Sequence, residues 1–193
     1  MKNHFLILEL KKETHINSFI DFWSRLYSYP LENLYNETII KKQFEIDDIQ
    51  HLYIWKNGMK LSNKKQQSLD LKIKPKLILI NDYKQNDDWS IDDFQNEFGD
   101  LSAVWKIFLL HIIKPEIYPI YDQHIHRAYN FIHKLPYSKT SPSLTNKSKE
   151  HFYFNTYLKF VNELKDVNLK KFDEAFFAFG KFINSNNNII LFK

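Results

Sequence analysis

Glycine and proline are scarce in this chain, with 3 and 6 occurrences in 193 residues. Glycine supplies the left-handed backbone of tight turns, and proline fixes turns and ends helices. A β-sandwich or barrel needs many closely spaced turns, which this composition does not supply. The sequence therefore predicts an all-α fold with short loops between its helices and at most a minor extended segment.

The composition also excludes several classes of protein. Hydrophobic residues make up 44% and aromatic residues 17% of the chain, which excludes a disordered protein. The absence of cysteine excludes a disulfide scaffold, a thiol nucleophile, a cysteine-held zinc site and an iron–sulfur cluster. No apolar run approaches the roughly 18–20 residues of a membrane span, and the first residues lack a secretory-signal pattern. We expect a cytoplasmic protein that folds as a single unit over residues 1–193.

The charge balance permits a nucleic-acid partner without requiring one. Lysine and arginine number 27 against 23 acidic residues, a net charge of +4. Only Arg25 and Arg127 are arginines. The densest basic stretch either follows a DNA backbone or forms a solvated face, and it comprises Lys56, Lys60, Lys64, Lys65, Lys72, Lys74 and Lys76.

Apolar spacing and capping residues predict a series of helices. They are a helix capped by Thr14 that ends before Pro30, a helix ending at Gly58, a polar helix over 62–73, a helix opened by a Ser90–Asp93 capping box, a very apolar helix over 101–113, a helix after Asp122, and helices over 152–164 and 169–182. Four stretches are read differently: a short apolar segment at 5–10, an ambiguous one at 31–44, a strand or short helix at 76–81, and a polar loop at 134–150.

The most specific pattern in the chain is Asp-x-His-Ile-x-Arg, formed by residues 122–127. It stands where Asp122 can cap a helix. It follows the apolar helix over 101–113 and a crossing rigidified by Pro115 and Pro119. A six-residue motif alone is weak evidence, but here it occurs in a defined order with a helix and two prolines.

This arrangement resembles the helix-hairpin-helix (HhH-GPD) DNA glycosylase superfamily, nearest to its 8-oxoguanine glycosylase and endonuclease III-like group. The resemblance covers about residues 98–130, as a hairpin-like segment, a buried helix and a helix that starts at an aspartate. Residues 172–181 are also similar to the C-terminal helix of proteins near this superfamily. The resemblance implies a two-lobed helical fold and a monomer that acts in base excision repair on double-stranded DNA, without a cofactor or metal.

The resemblance also implies roles for particular residues. Asp122 would be the catalytic carboxylate, which stabilises an oxocarbenium-like sugar and orients the attacking water. The target base would be flipped out of the duplex into a pocket. Candidate pocket residues are Ser102, Trp105, Tyr118, Tyr121 and His124, and candidate DNA-binding residues are Gly99, Leu101 and Arg127.

Two departures from the family pattern change the expected activity. The family hairpin reads Leu-Pro-Gly-x-Gly, whereas residues 98–101 have a single glycine, Gly99, followed by the acidic Asp100. Ser102 stands where members that also cleave the strand carry a Schiff-base lysine. We therefore expect hydrolysis that leaves an abasic site, with Lys106, one turn later, as a fallback nucleophile.

Simpler interpretations of the same residues remain open. Asp122 is also an ordinary N-cap residue, and Arg127 either contacts phosphate or pairs with an acid. His124 and His126, with His111 and His133, suggest a metal site, but helical positions two apart point to opposite sides and cannot share one ion. The alternative functions are therefore a catalytically silent DNA-binding or interaction module on the same scaffold and, less favoured, a metal-dependent hydrolase.

Overall fold

The computed structural model describes residues 15–137, 144–164 and 167–185, and in these ranges it contains helices and no strand. The helices are α1 Ile16–Ser24, α2 Glu32–Ile39, α3 Ile46–Asn57, α4 Asn63–Lys72, α5 Leu77–Gln85, α6 Ile91–Glu97, α7 Ala103–Ile113, α8 Gln123–Ile132, α9 Asn146–Phe152, α10 Leu158–Glu163 and α11 Leu169–Ser185. A 3-10 turn at Lys74–Lys76 leads into α5, and a π-helical turn at Tyr153–Tyr157 joins α9 to α10. The predicted all-α class is confirmed, while the two-lobed arrangement stays a prediction.

Several helix ends are set by the residues that the sequence indicates. The Ser90 hydroxyl accepts a hydrogen bond from the Asp93 amide at 3.1 Å, and the Asp93 carboxylate accepts one from the Ser90 amide at 2.9 Å. This capping box opens α6. Gly58 ends α3 with a left-handed φ of 73°, which a residue with a side chain rarely adopts. Both predicted caps are confirmed.

Other boundaries differ from the predictions. The N-cap of α1 is His15, and Thr14 and the apolar segment 5–10 lie outside the described residues. The ambiguous stretch contains α2, and the apolar run after Pro75 is helical as α5. The final part of the predicted loop over 134–150 is also helical: Thr145 accepts a hydrogen bond from the Ser148 amide at 3.1 Å, so α9 begins six residues before the predicted start at Phe152.

One continuous hydrophobic core joins the helices, from Ile20 on α1 to Ile183 on α11. The apolar helix α7 lies deep in this core, and seven of its residues, Ile107 to Ile113, are at most 3% exposed. The described helices include none that is both long and apolar enough to span a membrane. The prediction that residues 1–193 fold as a single unit stays a prediction.

Helix α11 packs against both α8 and α1. At Gly180 the backbone of α11 lies so near α8 that a Cβ would stand 2.0 Å from the carbonyl oxygen of His124. The Arg127 guanidinium donates a hydrogen bond to the Gly180 carbonyl at 3.3 Å and reinforces this contact. Gly180 is therefore required by the approach of two backbones.

We predict that Gly180→Ala destabilises the protein by about 3 kcal/mol, because the added methyl group forces two helix backbones apart. Helix propensity alone would give the opposite sign, since alanine is favoured over glycine in a helix by about 1 kcal/mol. Urea unfolding followed by circular dichroism measures the change. Lys181→Ala, at the exposed neighbouring position, is the control and should stay within about 0.5 kcal/mol of wild type. A Gly180→Ala variant as stable as wild type would contradict this account of the crossing.

Candidate functional site

A narrow pocket with an open mouth lies where four parts of the fold meet, and its cavity volume is about 30 Å³. These parts are the segment between α1 and α2, the end of α3, the start of α8 and the first half of α11. Its walls are mainly aromatic and apolar, with five charged side chains among them. The lining residues are Tyr27, Tyr29, Trp55, Lys56, Ile120, Asp122, Ile125, Lys170, Asp173, Glu174 and Phe177.

Asp122 is the half-buried carboxylate at the start of α8. Its Oδ1 accepts hydrogen bonds from the amides of His124 at 2.7 Å and Ile125 at 3.0 Å. These bonds confirm the predicted N-cap, and they fix the direction of the side chain. Asp122 is thus both a helix cap and a pocket residue.

Lys56 is the amine that the structure brings to this carboxylate. Its Nζ donates a hydrogen bond to the Tyr121 carbonyl at 3.1 Å, and it lines the pocket together with Asp122. Burial lowers the pKa of Lys56, and the negative charges of Asp122 and Asp173 partly oppose this change. The pocket therefore holds an enclosed amine between two carboxyl groups.

Asp173 is the most buried acid of the pocket, with 5% of its surface exposed. Its Oδ2 accepts a hydrogen bond from the Ile120 amide at 2.9 Å, which ties α11 to the crossing before α8. Oδ1 has no hydrogen-bond partner among the described residues. Burial raises the pKa of Asp173 to about 8, although Lys56 and Lys170 act in the opposite direction. The side chain is therefore protonated at neutral pH.

The aromatic walls suit a flat ring. The Tyr29 ring packs edge-on against both Trp55 and Phe177, with 5.3 Å between ring centroids in each case. Tyr27 packs on Phe177 at 5.6 Å. Aromatic side chains held in this way bind planar groups by stacking and edge contacts, and such contacts do not select one type of ring over another.

A polar layer behind the pocket holds these walls in place. Glu32 accepts hydrogen bonds from the Tyr27 hydroxyl and the Trp55 indole, both at 2.9 Å, and pairs with Lys170 at 2.5 Å. Tyr35 stacks on Trp55 at 4.2 Å between ring centroids and donates a hydrogen bond to Nε2 of His111. Each polar group of the layer thus has a partner that fixes its orientation.

His111 is a buried structural histidine. Its Nδ1 donates to the Tyr118 carbonyl at 2.7 Å, so Nε2 accepts from the Tyr35 hydroxyl, also at 2.7 Å. Burial lowers the pKa of His111 to about 3, which keeps the ring neutral. His124 contacts Phe177 and Arg127, whereas His126 stacks on Phe152 at 3.8 Å. The described residues contain no group of three or more side chains placed to hold a metal ion.

Most of the predicted pocket residues lie elsewhere. Ser102 is exposed at the start of α7, and Trp105 packs on Tyr53 at 4.7 Å between ring centroids. Tyr118 and Tyr121 contribute their carbonyls, to His111 and Lys56. Lys106 is 5% exposed and pairs with Glu150 of α9 at 2.9 Å. Of the predicted catalytic and substrate-binding residues, the structure brings only Asp122 into the pocket.

The predicted DNA-binding residues do not form a shared surface. Leu101 is 4% and Arg127 is 6% exposed; Arg127 is held by Gly180 and His124 inside the helix crossing. Gly99 is exposed in the turn between α6 and α7 and has no left-handed backbone. In that turn Asp100 pairs with Lys72 at 3.2 Å. Leu101 and Arg127 thus contribute to packing in this structure.

The predicted basic stretch is divided among different roles. Lys56 faces the pocket, and Lys74 pairs with Asp70 at 2.7 Å. Lys72 and Lys76 tie α4 and the 3-10 turn to the region of α6 through Asp100 and Glu97. Lys60, Lys64 and Lys65 are exposed beyond the end of α3. Of the predicted basic stretch, only Lys60, Lys64 and Lys65 form a charged, solvated face next to α3, the helix that carries Lys56.

Sequence reasoning missed Lys56, Asp173, Trp55 and Phe177 as pocket residues. One signal was available for Asp173. It directly follows Phe172 in an amphipathic helix whose core positions are aromatic, and an acid in that place needs a partner or a function. Lys56 carried no comparable signal, since it is one of many lysines.

The chain matches no protein-family model, and neither a curated protein nor a solved structure is detectably similar to it. The likeness to DNA glycosylases therefore rests on the order of motif, helix and prolines in the sequence.

We predict that Asp173→Asn stabilises the protein increasingly as the pH rises. An aspartate in the unfolded chain has a pKa near 3.8, whereas the pKa of folded Asp173 is about 8. Between pH 3.8 and pH 8 folding therefore takes up a proton, and the stability of the wild-type protein falls as the pH rises. Asparagine removes this dependence and still accepts the Ile120 amide. Thermal unfolding should show nearly equal Tm values at pH 4 and a variant several degrees more stable at pH 9. Asp88→Asn, at an exposed position, is the control. An equal Tm difference at both pH values would contradict the assignment.

Proposed function

We propose that this protein is a DNA glycosylase-like hydrolase that cleaves the N-glycosidic bond of a damaged or modified base flipped out of double-stranded DNA. The observation that carries the proposal is Asp122: it belongs to the Asp-x-His-Ile-x-Arg motif and lines an aromatic pocket at a helix start. If the Asp122 carboxylate had been sealed inside the protein, or had no cavity beside it, this function would have no structural basis.

The pocket supplies the groups that this reaction needs. Trp55, Tyr29 and Phe177 offer faces and edges to an extruded base. Cleavage of the bond develops positive charge on the sugar, and the Asp122 carboxylate stabilises it and orients a water molecule toward C1′. The product is an abasic site and a free base.

Hydrolysis by water is the proposed course because the predicted fallback amine is elsewhere. Lys106 is buried against Glu150 and does not line the pocket. Two lysines line the pocket with Asp122. Lys170 is paired with Glu32 and Glu174, and Lys56 donates a hydrogen bond to the Tyr121 carbonyl. If an amine attacks in place of water, Lys56 is the candidate, because it has no carboxylate partner within 4 Å among the described residues.

DNA would approach along the face that contains the pocket mouth. Lys60 and the exposed lysines at the start of α4 follow directly after Lys56 and Gly58 in the chain, and they could meet phosphates there. The turn between α6 and α7 is poorly suited to bind phosphate, because it carries Asp100 and has one glycine. This turn favours the second candidate, a DNA-binding module without catalytic activity.

We expect Asp122→Asn to abolish abasic-site formation without loss of stability. Asparagine is as good an N-cap residue as aspartate, but it lacks the negative charge that the reaction needs. The assay is a panel of duplexes with different lesions and modified bases, followed by alkaline cleavage. Asp93→Asn, which changes another carboxylate at a helix start outside the pocket, should keep wild-type activity. Full activity of Asp122→Asn would contradict the proposed mechanism. Salt-sensitive binding of the wild-type protein to duplexes without any abasic product would favour the catalytically silent DNA-binding module.

We also predict that borohydride traps no covalent protein–DNA adduct on the substrate found in that panel, because water is the nucleophile. The readout is a shift of the protein band under denaturing conditions. A trapped adduct would contradict the hydrolytic course. If the adduct is lost in Lys56→Met, the nucleophile is the pocket lysine Lys56. If it is lost in Lys106→Met, the nucleophile is Lys106, as the sequence suggested.

A further inference from the structure

The two aspartates of the pocket have opposite environments. Asp122 is half-buried and its Oδ1 accepts hydrogen bonds from two backbone amides. Asp173 is 5% exposed and receives one amide, that of Ile120, on Oδ2. Its Oδ1 is enclosed by protein and has no hydrogen-bond partner among the described residues, and the residue lines the pocket. A buried polar atom without a partner costs stability, so its retention calls for a purpose.

We propose that Asp173, in its protonated form, donates the hydrogen bond by which the pocket recognises a planar ring, and that it passes this proton to the departing base. The inference rests on the proposed function and assigns it a second catalytic group. Two carboxyl groups with opposite protonation states are the usual arrangement where one acts as an acid and the other as a base or charge stabiliser.

The surroundings of Asp173 decide which of its oxygens carries the proton. Oδ2 accepts from the Ile120 amide, so the proton belongs on Oδ1. Burial and the charge of Asp122 favour the protonated form, while Lys56 and Lys170 oppose it. The titratable groups around the pocket and Asp173 are Tyr27, Tyr29, Glu32, Tyr35, Lys56, Asp122, Tyr153, Tyr157, Lys170 and Glu174.

The reaction balances with these two residues and one water. The bond between C1′ and the base nitrogen breaks, its electron pair goes to the base, and the base takes the proton from Oδ1 of Asp173. The water oxygen bonds to C1′, and its proton goes to Asp122. The products are the free base and the abasic sugar, with Asp173 charged and Asp122 protonated; exchange with solvent restores both.

This assignment defines the class of base. A neutral base is a poor leaving group and presents an acceptor, so it gains from a proton donor. A base that alkylation has made cationic leaves without a proton and has no use for one. We therefore expect neutral modified bases to be substrates and N7-methylguanine and N3-methyladenine to be poor ones.

Binding of free bases tests the recognition step without any reaction. Saturation-transfer NMR would follow 9-methyladenine and 1,3-dimethyluracil, planar bases that do not ionise between the two pH values, with wild type, Asp173→Asn and Asp173→Leu at pH 6.5 and 9.5. We expect wild type to bind at least one base and to lose tenfold or more of its affinity at pH 9.5. Asp173→Asn should bind equally at both pH values because its amide keeps a donor, and Asp173→Leu should bind at least tenfold more weakly than wild type at pH 6.5.

Three results would overturn the recognition step: no binding of any base by wild type, Asp173→Leu binding as well as wild type, or a pH dependence that persists in Asp173→Asn. The last result would assign the titration to Lys56. Folding of each variant is checked by its thermal transition, and Asp88→Asn should behave as wild type throughout.

Turnover tests the proton transfer on the substrate found in the duplex panel. Asp173→Asn should bind but lose 100-fold or more of its rate, because an amide holds the base and gives up no proton. An unchanged rate would overturn the transfer. If no duplex yields an abasic site, the proposed function and the transfer both fail, while the binding experiment still decides whether Asp173 recognises a ring.

Discussion

The close approach of α8 and α11 is the contact on which the pocket depends. The two backbones meet at Gly180, where α11 lies against the His124 carbonyl and leaves no room for a side chain. Asp122 is at the start of α8 and Asp173 is in the first half of α11, so the distance between these helices sets the distance between the two acids. A wider crossing would separate the charged groups and open the floor of the pocket.

The second constraint is the unequal burial of these acids. Asp122 is half-buried at a helix start that supplies two amides. Protein surrounds Asp173, and its one amide does not replace the lost water, so its pKa is raised to about 8. The burial of Asp173 lowers the stability of the fold above neutral pH. Stability lost in this way is typical of functional sites.

Local features were predictable and distant contacts were not. The capping box at Ser90, the C-cap at Gly58 and the N-cap at Asp122 act within three or four residues, so the sequence contains all their partners. The start of α9 was missed because Thr145 stands in a polar stretch typical of a loop. Lys106 was predicted as a fallback nucleophile, yet it is buried and pairs with Glu150, which is distant in sequence.

The amino-acid sequence by itself determined the all-α class, most helix ends and the position of a motif that begins with Asp122, since periodicity and capping are local properties. Only the tertiary structure decided which side chains share the pocket. Lys56, Asp122 and Asp173 are separated by 66 and 51 residues, and they meet because three helices pack on one core. No spacing rule connects residues that far apart, because their proximity arises from the burial of helix faces and the close crossing at Gly180.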